Sequence, residues 1–455
     1  MALSNLMSIA RTALLTHQRS LDVTGHNIAN ANTPGFTRQQ LLVQAEEPLR
    51  SPLGAIGRGV RAVGITSARD AFLDAAFRRE RGAFAQSDTL RSMLQRVEDV
   101  FQEPGENGLG ATLDALFAAF SDLADRPASG AARVGVRQAA SQLALQLNNA
   151  DARLQAEEAA IGGEFRSTVA RVNQIAQQVA VLNRQIVAAG SPPRSAPDLV
   201  DAREGLIDEL SGLIGVRTLP RPDGSVGVVA GDVLLVDGGF AQALEAQVLP
   251  GGGMAATVQG GTRIISPVSG ALRALGELST DGVRSVRVEL DRLASQLVTS
   301  INALHTTGTT PAGDTGVPFF DPAGLTAGSI RLSAQVAGSV DQIAAGTTGA
   351  SGDNAVALGL AALRDIASAG LNGQTPGAFF VSLVNTVGLI VRDADQGART
   401  AEVVLANVTA QRASASGVST DEEMVNLIAQ QQAFSAAARL VTVADEVMQD
   451  VLRMV

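Results

Sequence analysis

The stretch that decides how this chain is built is LSNLMSIARTALLTHQRSLDVTGHNIANANTPGF, residues 3–36. Leu3, Met7, Ala10, Leu14, Leu21 and Ile28 recur at steps of four and three once His17 and Thr24 are counted in the same register. So narrow an apolar seam suits one partner helix rather than a broad core. The beat stops where Asn27, Asn30 and Asn32 give way to Thr33-Pro34-Gly35. Asparagine competes for backbone hydrogen bonds, and a Pro-Gly pair belongs in a tight turn. A helix that ends in a turn is therefore expected, its seam open for a partner.

A matching seam lies at the other end. Met424, Leu427, Gln431, Phe434, Ala438, Val441, Met448 and Leu452 alternate threes and fours, with Asp445 in the one charged slot. Ser419 stands where a helix cap is wanted, and Asp421, Glu422 and Glu423 suit the positive end of a helix dipole. A sustained heptad favours coiled-coil pairing, and by length and register the natural partner is the N-terminal helix. On spacing alone a plain C-terminal bundle helix remains the alternative.

The grammar between the two seams changes several times. Residues 39–44 and the β-branched run 60–66 read as two short strands or an extended linker. From Ala68 the pattern is helical, and Phe165, Val169, Val172, Ala176, Val179 and Ile186 mark one buried face. Pro192, Pro193 and Pro197 must end that helix, and Asp198 lies where the next one needs a cap. Residues 215–267 are short β-branched runs punctuated by Pro222-Asp223-Gly224 and Asp237-Gly238-Gly239, which is hairpin chemistry. Helices resume later, with Leu383, Val387, Ile390, Ala401, Val404 and Val408 on one side of the longest.

The expected fold class is therefore α+β and multidomain. The terminal helices pair as a coiled coil on a long helical rod into which a small β-rich domain is inserted. The expected limits are 1–67 for the N-terminal axial helix and linker, and 68–214 for the first half of the helical domain. The β-rich insertion covers 215–275, a returning helix 276–306, and a second part of the insertion 307–350. The second half of the helical domain is 351–417, and 418–455 is the C-terminal axial helix.

Composition excludes much chemistry. The chain has 455 residues, a formal charge of -10 and a sequence pI near 5.0. That balance argues against nucleic acid or an anionic membrane surface as partner. No long unbroken apolar run suggests membrane insertion, and no basic n-region with a cleavage site opens the chain. Lysine and cysteine are both absent, so all 35 basic residues are arginine. A P-loop lysine, a Schiff base and a thiol nucleophile are impossible. His17, His26 and His305 lack paired-ligand spacing and read as helix-associated residues. Glu157-Glu158, Asp208-Glu209 and Asp421-Glu422-Glu423 read as solvated helix faces or helix starts. No catalytic residue, cofactor site or metal site is expected, and the chain is not expected to be an enzyme.

The run LDVTGHNIANANTPGFTRQ, residues 21–39, resembles the N-terminal signature of bacterial flagellar axial proteins, the family of rod, hook and hook-associated subunits. SGVSTDEEMVNLIAQQQAFSAAARLVTVADEVMQDVL, residues 416–452, resembles the C-terminal signature of the same family. Within it, DLVDAREGLIDELSGLIGV (198–216) and SGDNAVALGLAALRD (351–365) look like segments of hook-associated subunits. Phe36 stands where many members have Tyr.

The resemblance implies a structural subunit of the flagellum at the junction of hook and filament, exported without a cleaved signal by the flagellar type III route. It implies self-assembly into a ring, contact with the hook protein and with a second hook-associated junction protein, and an export chaperone. Asn27, Ile28, Asn30, Asn32, Thr33, Pro34, Gly35 and Phe36 become the assembly motif, and the two seams the assembly helices. A rod or hook subunit is the alternative inside the family. Outside it stand a surface adhesin using the Gly/Thr-rich β insertion and an extracellular enzyme, for which the sequence supplies no catalytic constellation.

Overall fold

The computed structural model describes residues 2–51, 54–101, 108–190 and 196–454. Helix α1 (Ala2–Asn30) opens the chain, and strands β1 (Gln39–Ala45) and β4 (Val60–Ser67) come next as an antiparallel ribbon, with the small hairpin β2 (Leu49–Ser51) and β3 (Gly54–Ile56) between them. Gln39 pairs with Ser67 and Ala45 with Val60, with an irregularity between Leu42 and Val43. Of the two sequence readings of this segment, paired strands is the one observed.

The body begins at α2 (Ala71–Glu98), whose first turn is closed by Asp70 accepting from the amides of Phe72 and Leu73. It continues through α3 (Leu109–Asp125), α4 (Gly130–Ala189) and α5 (Pro197–Ile214). The 60 residues of α4 make a helix about 90 Å long. Its buried stripe runs from Leu143 and Leu147 through Leu154 and Ile161 to Phe165, Val172 and Val179.

Two small sheets lie along α4. One orders β5 (Val216–Pro220), β6 (Val226–Ala230), β7 (Val233–Asp237) and β8 (Phe240–Ala241); the other orders β11 (Ile264–Ile265), β10 (Met254–Val258) and β9 (Leu244–Val248). Their apolar faces (Val228, Val236, Ala256) join the same core as α4. Helices α6 (Ala271–Glu277) and α7 (Val283–His305), joined by the π-helical turn Leu278–Gly282, return the chain to the body.

Residues 307–350 were expected to hold more strands. Among the described residues they hold only isolated bridges such as Phe320 with Leu332, the short helix α8 (Ala334–Gly338) and a 3-10 turn. The reason is that α7 supplies the hydrogen bonds a ladder would have supplied. Asn302 accepts from the amides of Phe319 and Phe320 at 2.9 and 2.8 Å and donates to the Phe320 carbonyl at 3.0 Å. His305, wholly buried, is bonded through Nδ1 to the Val317 carbonyl at 2.7 Å and accepts from the Ala344 amide at Nε2, 3.0 Å. Phe319 and Phe320 are thereby pinned edge-to-face beside His305 and Phe120.

After α9 (Ala355–Ala362), the helix α10 (Pro376–Ser416) runs antiparallel beside α2, and α11 (Thr420–Met454) closes the chain against α1. The inward line of α10 passes through Leu383, Val387, Val391 and Ala398. Ile390 and Val404, placed on that seam from sequence, are 47% and 39% exposed. The helical stretch Pro376–Asp450 also holds one 18-residue window apolar enough by composition to cross a membrane, mean hydropathy 1.4, although only 28% of it is buried. That qualifies the sequence expectation, which foresaw no such window.

His305 makes the cap of residues 307–350 pH-sensitive. Burial pushes its imidazole below the usual value, outweighing the bond to Val317, and a proton on Nε2 would leave the Ala344 amide facing a donor. The unfolded chain then binds the proton better, so stability is intact above about pH 6.5 and is lost as pH falls through that value toward the depressed folded one. Melting followed by circular dichroism between pH 5 and 8 should show this slope. His305→Leu should remove the slope and cost about 2–4 kcal/mol at pH 7.5, having orphaned two buried backbone groups.

Candidate assembly interface

The two ends of the chain meet. α11 packs on α1 in the opposite direction, fixed by His17 bonded to Gln430 at 2.8 Å and Asn27 donating to Glu423 at 3.0 Å. The pairing register differs by one position from the sequence seam. Glu423, Ala437 and Ala444 are enclosed, and Gln430 is half-buried between them. Leu427, Phe434, Ala438 and Val441 flank that line half-buried, as do Met7, Leu14 and Leu21 on α1. Met424, Gln431, Met448 and Leu452, also read into the seam, are exposed, Leu452 by 71%. Helices that approach closely need alanine at the line of contact, so the largest apolar residues fall beside it and not on it. The side chain of Leu3 lies outside the described residues.

At the end of α1 the motif is a hub of local bonds. Asn27 is buried and treats Gln39 as a strand neighbour would, donating to its carbonyl and accepting from its amide, both at 2.9 Å. Asn30 donates back to the His26 carbonyl, and Thr33 bonds to Asn30 through both its amide and its hydroxyl. Gly35 holds φ near +81°, the left-handed conformation that glycine adopts without strain. Phe36 turns back edge-to-face on His26, ring centres 5.4 Å apart. Of the motif, Asn27 is enclosed, Ile28, Asn30 and Phe36 are half-buried, and Asn32, Thr33, Pro34 and Gly35 form an exposed corner.

Beyond the corner begins a polar network that periodicity and composition did not foresee. Thr37 donates its amide and hydroxyl to Asp201, at 2.9 and 2.7 Å. From there a file of alternating charges runs into the body. Arg69 bridges Asp201 and Asp74, and Arg412 of α10 bridges Asp74 and Asp208, 2.7 Å to each. Arg78 of α2 bridges Asp208 and Glu204 at 2.7 and 2.5 Å. Arg203 grips Glu204 and reaches the Gly224 carbonyl of the β unit at 2.8 Å. The Arg412 guanidinium also lies 4.5 Å over the Phe77 ring. Alongside, Arg38 pairs with Glu422 and Glu423, and Gln39 donates to Asp198.

Asp208, read as solvated, is thus held between two arginines. Asp198, read as a cap, lies inside the first turn of α5, whose cap position is Ala196. The signal was present, because Asp201, Glu204 and Asp208 fall at i, i+3 and i+7 on one helical face. Burial depresses the Arg78 guanidinium, but the charges of Glu204 and Asp208 overcome it and raise it on balance. Burial opposes ionisation of Glu204, yet Arg78 and Arg203 hold its carboxyl below the usual range. Among the described residues no group of three or more His or carboxylate side chains is placed to hold a metal ion.

Residues 7–37 match the family described as flagella basal body rod protein, and residues 409–454 the C-terminal family of flagellar basal body rod FlgEFG proteins. Those matches define a flagellar axial protein. Residues 94–320 match the flagellar hook-associated protein FlgK helical domain. The chain belongs to the flagellar hook-associated protein 1 (FlgK) family and is a structural subunit of the bacterial flagellum. Flagellar hook-associated protein 1 of Bacillus subtilis is 28% identical, over 98% of this chain and 97% of its own. The protein of the same description from Salmonella typhimurium is 28% identical over 70% of this chain, which spans 59% of that relative's length. The flagellar hook junction protein FlgK from Burkholderia pseudomallei has a TM-score of 0.48 at 22% identity, covering 54% of this chain and 46% of its own.

The charge file makes a sharp expectation. Arg78→Ala should cost about 3–5 kcal/mol, because Glu204 and Asp208 remain buried without their shared partner. Chemical denaturation at pH 7 checks it. Glu204, with its lowered folded value, stabilises above its unfolded value near pH 4.3, and that contribution disappears as pH falls below it. The gap between wild type and Arg78→Ala should therefore narrow at pH 3.5.

Proposed function

We propose that this chain forms a ring at the distal end of the hook, between hook and filament, and that the filament cannot be retained without it. The observation that carries the reading is the pair of terminal helices, which α5 clamps to a rigid body while α11 keeps Val425, Ile428, Leu440, Val443 and Val447 exposed by 42–67%. Among the described residues nothing covers that stripe, and an assembly would. In this reading residues 1–67 and 418–455 form the axial part. Asn27 to Phe36 and the helix pair are its assembly elements, and the helical and β units face outward. The neighbours are further copies, the hook protein on one side and a second hook-associated junction protein on the other. A chaperone would cover the C-terminal helix before type III export, and no enzymatic role is required.

A strain lacking this gene should build hooks without filaments and shed flagellin into the medium, seen by electron microscopy and by probing the supernatant. Normal filaments would overturn the proposal, and missing hooks would mean a rod or hook subunit. Replacing Leu427, Phe434 and Val441 together with Asp should give the same phenotype, since each puts a carboxylate beside the α1 contact line. The β unit and α2–α10 should stay folded by limited proteolysis.

A further inference from the structure

A groove of about 840 Å³ runs between α1, the β1–β4 ribbon and the Val441 side of α11. A second groove of about 820 Å³ continues it past Arg19 and Arg61 toward Leu41 and Ala189. Its lining is unusual for this acidic chain. Arg11, Arg19, Arg58 and Arg61 surround the apolar Leu15 and Val60, with Glu46 at one end. Most of the other described arginines form ion pairs, and these four form none among the described residues. Leu15 between Arg11 and Arg19 is 47% exposed. The groove is a basic channel with an apolar floor, awaiting an acidic and apolar strip.

The chain itself carries such a strip. On α11 Val443, Glu446, Val447 and Asp450 fall at i, i+3, i+4 and i+7, with Val443 and Val447 exposed by 48% and 43%. At about 100° per residue their face is centred roughly 190° around the helix from Val441. Val441 is the residue this α11 already gives to the groove wall. A chain therefore cannot place the acidic strip in its own groove, whereas a second copy can.

We infer that the arginine-lined groove of one subunit receives the Val443–Glu446–Val447–Asp450 face of α11 from a neighbouring copy. The contact is head-to-tail, because groove and strip are different surfaces, and such contacts propagate around a ring or along a helix. This rests on the proposed self-assembly and names the surfaces that accomplish it. The charges set register and partner choice, and the apolar residues supply the buried area.

Because the chain has no cysteine, the contact can be trapped by oxidation in hook-basal body particles from a deletion strain complemented with variants. Leu15→Cys combined with Val447→Cys should give a ladder of disulfide-linked multimers, and neither single variant should crosslink. Dimers from Val447→Cys alone would mean that α11 faces α11, which overturns the inference. So would the absence of a ladder in particles that contain the double variant and still carry filaments, an outcome that leaves the junction reading standing. Charge reversal is the second arm. Arg11→Glu with Arg19→Glu, and separately Glu446→Arg with Asp450→Arg, should each reduce filament-bearing cells at least tenfold. Joining all four changes in one chain should restore most of them. Failure of the joined variant to exceed either pair would show that the groove serves another partner. If the deletion strain itself bore normal filaments, the junction reading would fail instead.

Discussion

The fold depends on one file of charges that cannot be opened at any link. Asp201, Arg69, Asp74, Arg412, Asp208, Arg78, Glu204 and Arg203 alternate in sign, and each arginine among them touches carboxylates on one or both sides. Four acids balance four bases. They come from the linker, α2, α5 and α10, so segments far apart in sequence are brought together by the file. Desolvating eight charges is expensive, and replacing them with apolar side chains of similar volume would stabilise such a centre as well or better. What the file supplies is register. If α10 slid by one turn against α2, Asp74 and Asp208 would each lose one of their two arginines while staying buried. The two long body helices therefore have one permitted alignment, and the terminal helices inherit it through Thr37 and Arg38.

A second device repeats along the molecule. Asn27 of α1 bonds both the amide and the carbonyl of Gln39, as Asn173 does with Leu244, Asn183 with Val226 and Asn302 with Phe320. A primary amide has the donor and acceptor of a peptide group, so each asparagine ends an excursion of the chain by standing in for a neighbouring strand. The β unit is tied to α4 at two such points and the loop cap to α7 at one. The excursions thus join the core without a continuous sheet, which is why short strands suffice here and why residues 307–350 fold with almost none.

Much of this was legible in the sequence, for definite reasons. Periodicity located the long helices, because an apolar stripe must recur every three to four residues wherever it is buried. Glycine-marked turns located the β-rich segment 215–267, because hairpins need Asp-Gly and Gly-Gly. The exact line of contact between α1 and α11 was not legible, since hydrophobicity ranks Met424 and Leu452 above Ala437 and Ala444, while close packing selects the alanines. Nor was the charge file. A carboxylate on a helix reads as solvent-facing until its arginine is found, and the partners lie as far apart in sequence as Asp74 and Arg412. Of these asparagines only Asn27 was read as a helix ender, because sequence does not reveal which distant amide each will mimic.

The unequal burial of the two parts has a consequence for how such a subunit is used. The body has a continuous apolar core with fully buried Phe117, Phe120, Phe165, Phe319 and Phe320, so its helices fold on their own contacts. α11 has 35 residues, and its enclosed side chains are Glu423, Ala437 and Ala444. Two alanines, one ion-paired glutamate and the half-buried Leu427, Phe434 and Val441 return less free energy than ordering a helix of that length removes in conformational freedom. The helix must draw the rest from outside the chain, through its exposed valines and leucines. A terminal helix ordered by its neighbours stays loose while the subunit is free and becomes rigid where a neighbour waits. Its sequence therefore withholds apolar residues from the intramolecular line and spends them on the outer face.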